Sequence, residues 1–370
     1  MNKVIISQEQ LIVLFFVYLT GSVIVNLPGP LIGFAQNGVW ISLLLSGTAA
    51  LIQLLLVLYL DKEYPGLSFC QYSQTLLGTW PAIAILIPFI SLLFEMTTGI
   101  VHEVGKFVNS SLMRQTPQYI FDIFIFATVA ITVRAGIEVM SRMFAILIFI
   151  VMLFTIINLL LSVPNYQFEF LLPILPDGIK PVLHGAYMSF GFTHAEPVLL
   201  GMLLPFVRRP AGSLHKKLVV VFGISVITLI TVTLSTILVF GPLAGERKYS
   251  MVEVARMIDV QPIIQRVEFI IGFVLIVSSY MKACITLFIL NQLVVQTCKL
   301  KDEKVFILPL TFFNMMFAFI FQRSEAKLTE HITVILPLWK FSGFTVPLLI
   351  VVAVHLLRKR IGLKKALSNK

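Results

Sequence analysis

Four ionisable side chains interrupt long apolar stretches of this sequence: Glu95, Glu196, Lys282 and Lys340. A charge in hydrocarbon is costly unless it is paired or faces a wet cavity, so such positions mark binding, proton transfer or structural pairing. Glu95 is followed at helical spacing by Thr98, Gly99, His102 and Lys106, on roughly one face. Two readings of Glu95 and Lys282 stay open. They either contact a zwitterionic ligand or act as proton-linked groups, or they form a buried structural pair. Glu196 joins them as a proton- or ion-linked candidate. His184 and His194 have no metal-ligand spacing, which suits packing or a pore-lining role. No catalytic triad, phosphate-binding loop or metal site can be read, so neither enzymatic activity nor a cofactor is expected.

Two apolar segments carry interruptions that would position such groups. The first reads Tyr18-Leu19-Thr20-Gly21-Ser22-Val23. The second runs from Met188 through Phe190-Gly191-Phe192-Thr193-His194 to Glu196-Pro197. An unwound stretch at membrane depth leaves N–H and C=O groups unpaired, which is tolerated only where they face protein, water or a ligand. The half-helix ends then offer N–H groups to a carboxylate and C=O groups to an ammonium. A free amino acid carries both charges. The interrupted segments lie five spans apart and run in opposite directions, as in an inverted repeat. The candidate ligand-binding set is therefore Thr20, Gly21, Ser22, Glu95, Thr98, Gly191, Phe192, Thr193, Lys282 and Phe344. Pro28-Gly29-Pro30 is expected to end the first span.

With 58% apolar and 12% charged residues in 370, and a mean hydropathy of +0.95, a soluble core could not absorb the apolar surface. The fold class expected is an all-α membrane protein of ten transmembrane helices, with helices 1 and 6 broken. The predicted spans are 10–33, 38–60, 81–106, 118–134, 142–163, 180–205, 217–241, 267–296, 304–322 and 332–357, within one membrane domain over 1–370. The amino terminus reads as a first span and not as a cleaved signal. Of the 28 Lys and Arg, 17 fall on the side that holds both termini and 9 on the other, which predicts cytoplasmic termini. The net charge of +10 is largely this topology signal, with a basic tail that suits anionic lipid, and nucleic acid is not an expected partner. Cys70, Cys284 and Cys298 suggest no disulfide framework. The stretch Tyr249 to Ile264 suits an amphipathic interfacial helix, either capping the outer vestibule or resting on the surface.

Several short stretches, in order and spacing, give a resemblance. They are Ile6-Ser7-Gln8-Glu9-Gln10 leading to Gly21-Ser22, Trp40-Ile41-Ser42, Tyr64-Pro65-Gly66-Leu67-Ser68 with Leu77-Gly78, and Thr116-Pro117. The sharpest is Gly136-Ile137-Glu138-Val139-Met140-Ser141-Arg142, followed by Phe190-Gly191-Phe192 with Glu196. Over roughly residues 5 to 360 the chain resembles the endospore germination permeases, the B subunits of nutrient germinant receptors. Members often carry an acidic residue just before the span 2 Trp, where this chain has Asn37-Gly38-Val39. The resemblance implies a LeuT-like five-plus-five inverted repeat, similar to amino-acid/polyamine/organocation transporters. It also implies residence in the spore inner membrane with A-type and C-type (lipoprotein) subunits, and sensing of a small germinant such as an amino acid. In five-plus-five permeases span 8 lies against the span 1 break, where a coupling cation can sit, so the Lys282 ammonium is a candidate to replace that cation. A proton-coupled amino-acid transporter is the alternative function.

Overall fold

The computed structural model describes residues 5–208, 213–258, 267–320 and 330–368, and they are almost entirely helical. Eight helical runs among them are long and apolar enough to cross a membrane. Two of the ten expected spans fall outside that set. The segment around 179–206 is broken into short pieces, and Ile307–Ile320 is apolar but has only 14 residues. The distribution of side chains is that of a protein solvated by lipid. Ile52, Phe124, Ile131, Phe149 and Ile227 point outward. Serines, threonines and charged groups point inward.

The chain begins with α1 (Gln8–Thr20), α2 (Val23–Asn26) and α3 (Pro28–Ala35). Ser7 caps α1: its hydroxyl accepts from the Gln10 N–H at 3.1 Å, while the Gln10 side chain accepts from the Ser7 N–H at 2.7 Å. This reciprocal pair satisfies two N–H groups that a helix start leaves open. The first membrane run ends at Asn26, just before Pro28-Gly29-Pro30, as expected. Pro28 then opens α3, where its missing N–H would have been unpaired in any case. Helix α4 (Val39–Glu63) leads to α5 (Phe69–Leu77), a short helix between the second and third predicted spans, started by the same capping pair between Ser68 and Gln71.

Next come α6 (Thr79–Phe107), α7 (Gln118–Ala135) and α8 (Ile137–Ser162). The turn between α7 and α8 depends on Gly136, whose φ of +97° is a left-handed conformation that side chains disfavour. Helix α8 starts five residues before the predicted boundary, with the exposed Glu138–Arg142 pair one turn apart at 2.5 Å. The second half holds α9 (Ile179–Ser189), α10 (Leu200–Leu203), α11 (Leu214–Phe240), α12 (Ser250–Arg256), α13 (Glu268–Thr297), α14 (Ile307–Ile320), α15 (Leu336–Lys340) and α16 (Val346–Ser368).

Helix α13 is the central post. It packs on α6, α7, α8 and α12, and buries Ser278, Ser279, Lys282, Thr286, Asn291 and Gln292 along with its apolar residues. Helix α12 forms the first part of the expected interfacial helix, and it is packed on the bundle and does not merely rest on its surface. Ser250, Met251, Val252, Val254 and Ala255 are all buried, against α2, α3, α8, α11 and α13. Arg256 and Met257 stay exposed, so the helix keeps one outward side while the rest of it packs on the bundle. The rest of that expected helix, 259–264, lies outside the described residues.

Candidate functional site

The two interrupted helices meet each other. Helix α1 ends at Gly21 (φ 3°, ψ −122°), whose N–H still donates to the Val17 carbonyl at 2.8 Å. The break frees the carbonyl of Leu19, and the Thr193 hydroxyl donates to it at 3.0 Å. The second interruption is a change of helical pitch and not an extended gap. Helix α9 widens into a π turn over Phe190–His194, then tightens into a 3-10 turn over Glu196–Leu199 that carries Pro197. Such π turns recur at functional sites. A methyl group at Gly191 would collide with Pro337, so the absent side chain lets α15 lie directly on the π turn.

That close approach brings three charges together. The Glu196 carboxylate takes the Lys282 ammonium at 2.8 Å on one oxygen and the Lys340 ammonium at 2.6 Å on the other. All three side chains are at most 3% exposed. Lys340 also donates to the Phe192 carbonyl at 3.1 Å, satisfying backbone opened by the π turn. The stem of Lys282 lies against Gly21, and its ammonium sits 5.2 Å from the centre of the Tyr18 ring, a cation–π distance. Counted at their ordinary charges, the three groups sum to +1.

A cavity of about 130 Å³ opens beside this cluster. It is lined by Ser22, Asn26, Phe192, Glu196, Lys282 and Lys340. Glu95, Gly99 and Glu103 from α6 and His331 complete the lining. Glu95 and His331 share a 2.5 Å hydrogen bond and remain 20% and 10% exposed. Glu103 faces Lys248 at 3.4 Å, and the Asn26 side-chain oxygen is buried without a hydrogen-bond partner among the described residues. The cavity lining thus carries both ammonium groups and carboxylates.

Of the residues read from the sequence, Ser22, Glu95, Phe192, Glu196 and Lys282 line this cavity. Glu95 and Lys282 do not pair with each other; their partners are His331 and Glu196. The remaining candidates sit behind the wall. Thr20 donates to the Phe16 carbonyl of its own helix, and Gly21 is packed on Lys282. Gly191 lies under Pro337, and Thr193 ties the two breaks together. Thr98 donates to the Asn314 side chain at 2.9 Å, and Phe344 packs edge-on to Phe89. His184 stacks near Phe34, and His194 bonds Ser46 and Ser189. The residues that sequence reading left out are Asn26, Glu103 and His331, while Lys340 was singled out as a membrane-depth charge but not placed in the ligand-binding set. Asn26 follows Ser22 by one helical turn, a spacing that would have found it.

Thr193 gives a direct test of the link between the breaks. Thr193→Val keeps the shape and removes the donor, leaving the Leu19 carbonyl unpaired. We expect a loss of about 1–2 kcal/mol in stability, read as earlier thermal aggregation of the purified protein. An unchanged profile would mean that water satisfies that carbonyl.

Comparison with known proteins decides the family. A family model described as spore germination protein matches residues 5–326. The chain belongs to the spore germination protein family. Spore germination protein YndE of Bacillus subtilis (strain 168) is 26% identical over 247 residues, 66% of each chain. Spore germination protein KB of the same organism is 25% identical over 315 residues, 82% of this chain and 81% of its own. Spore germination protein XB of Bacillus anthracis is 22% identical over 227 residues, 60% of this chain and 61% of its own.

Among solved structures, MhsT in complex with L-phenylalanine has a TM-score of 0.70 at 11% identity, covering 96% of this chain and 99% of its own. Mhp1, a nucleobase-cation-symport-1 family transporter in a closed conformation with bromovinylhydantoin bound, has a TM-score of 0.68 at 10% identity. That match covers 95% of this chain and 92% of Mhp1. At such identity the likeness is one of fold: this spore germination protein has the LeuT-like architecture and is a multi-pass membrane protein. Its family and fold are those of germination proteins and transporters rather than of enzymes.

Proposed function

We propose that this germination protein is a nutrient germinant receptor subunit that binds a small amino acid in the cavity between the two helix breaks. The observation that carries the reading is that charges of both signs line one cavity. The Glu196–Lys282–Lys340 cluster has an excess positive charge that a ligand carboxylate would neutralise. Glu95, part exposed on the same lining, would accept from a ligand ammonium. Small-molecule pockets for drug-sized ligands run to about 300–1,000 Å³, so about 130 Å³ suits a compact nutrient. Binding favours the conformation in which the walls are closest, and only such differential affinity can drive a signal.

In this reading the chain forms ten spans with both termini in the cytoplasm, within the spore inner membrane. It works with A-type and C-type lipoprotein receptor subunits. The deciding measurement is dipicolinate release from spores lacking only this gene, across amino acids, sugars and nucleosides. A selective loss of response to one amino acid is expected. Loss of response to a sugar alone would overturn the ligand class.

A proton-coupled amino-acid transporter is the second reading. It is favoured by the burial of an ionisable cluster at both breaks, where a proton could replace a coupling cation. Uptake of labelled amino acid by vesicles holding this chain alone, abolished by a proton ionophore, would select it.

A further inference from the structure

A second recess lies on the outside of the bundle, between the end of α4 and the start of α11. It has a volume of about 550 Å³. Its floor is apolar, from Leu55 and Leu58 on α4 and Val219 and Val220 on α11. Its rim is basic, from Lys62, His215 and Lys216, with Tyr59 beside them. Leu55 and Lys62 are seven residues apart on one helix, a rise of about 10 Å, so the recess grades from hydrocarbon to headgroup depth. Below it the surface continues with outward-facing Ile52, Ile224 and Ile227.

The charges at the rim are not used up by the protein. Asp61 bonds His215 at 2.9 Å, and Glu63 bonds Lys359 at 2.8 Å. Both acids nearby therefore have cationic partners, while Lys62 and Lys216 face none among the described residues. The first turn of α11 adds to the positive field. It carries no acidic residue, its Ser213 makes no side-chain cap, and its open N–H groups face the same end of the bundle. A basic rim over an apolar furrow between membrane helices is the arrangement that holds an anionic lipid headgroup.

We propose that this recess binds one anionic phospholipid, with its phosphate between Lys62 and Lys216 and an acyl chain along Leu55, Val220 and Ile224. The site is separate from the central cavity and does not depend on what that cavity binds. The lipid would fix the spacing of α4 and α11, and α4 also carries the Ser46 that bonds His194 at the second break.

The test is native mass spectrometry of the purified chain offered equal phosphatidylglycerol and phosphatidylethanolamine. The wild-type chain should retain one phosphatidylglycerol in clear preference. Lys62→Gln with Lys216→Gln should lower that preference at least tenfold, whereas Lys301→Gln with Lys304→Gln, on an exposed loop, should leave it unchanged. Val220→Trp, which fills the furrow without touching charge, should also displace the lipid. Millimolar glycerol phosphate should not compete. Equal retention by the Lys62/Lys216 variant, no preference in the wild type, or displacement by glycerol phosphate would each overturn the proposal.

Discussion

Glu196→Ala is expected to destabilise the protein by about 3–5 kcal/mol, because it leaves two buried ammonium groups facing each other without a counter-charge. The burial of all three groups makes this the largest single effect in the molecule. Purified variant protein should aggregate at a markedly lower temperature, or fail to accumulate in the membrane. The second substitution Lys340→Met should restore much of the loss, since it removes one of the two stranded charges. A Glu196→Ala protein as stable as wild type would show that water or an ion compensates the lysines. A double variant no better than the single would locate the cost in the lost Phe192 contact instead.

Glu95→Gln is expected to behave differently, weakening the response to ligand while sparing the fold. Glu95 stands on the cavity wall, part exposed, with one hydrogen bond to His331 that glutamine can still make. What glutamine cannot supply is the negative charge opposite a ligand ammonium. A charged hydrogen bond is worth about 1.5–3 kcal/mol, so the half-maximal germinant concentration should rise roughly 10- to 150-fold. Thermal stability should change little. An unaltered dose response in spores carrying only this variant would remove Glu95 from ligand contact.

Much of this was legible before any fold was known, and the reasons are particular. Glu196 and Lys282 stand out because charge is rare in apolar runs. The breaks at Gly21 and around Gly191 stand out because they recur five spans apart. Partner choice was not legible, since it depends on how each helix is rotated. Phe344 is of the same type as Phe192, which lines the cavity, and Thr98 neighbours the lining Gly99, yet they turn toward Phe89 and Asn314. His331 lay one residue outside the predicted tenth span, and Lys340 reaches Glu196 only because Gly191 lets α15 approach. Pro28 was legible as the end of the first span, and it also opens the next helix for one physical reason: the missing N–H that breaks a helix interior suits a helix start.

The start of the described chain also carries a mechanical consequence. Ile6 pairs with Val207 in a short parallel bridge, its N–H donating to the Phe206 carbonyl at 2.8 Å and its carbonyl accepting from the Arg208 N–H at 3.0 Å. The start of the first interrupted helix is thereby stitched to the end of the second. Any excursion that parts these ends must undo two backbone hydrogen bonds, worth together about 1–3 kcal/mol, which biases the resting population roughly 5- to 150-fold toward the joined form. A bulky fusion at the amino terminus would pull on that seam, so reporter tags on this chain belong at the other end.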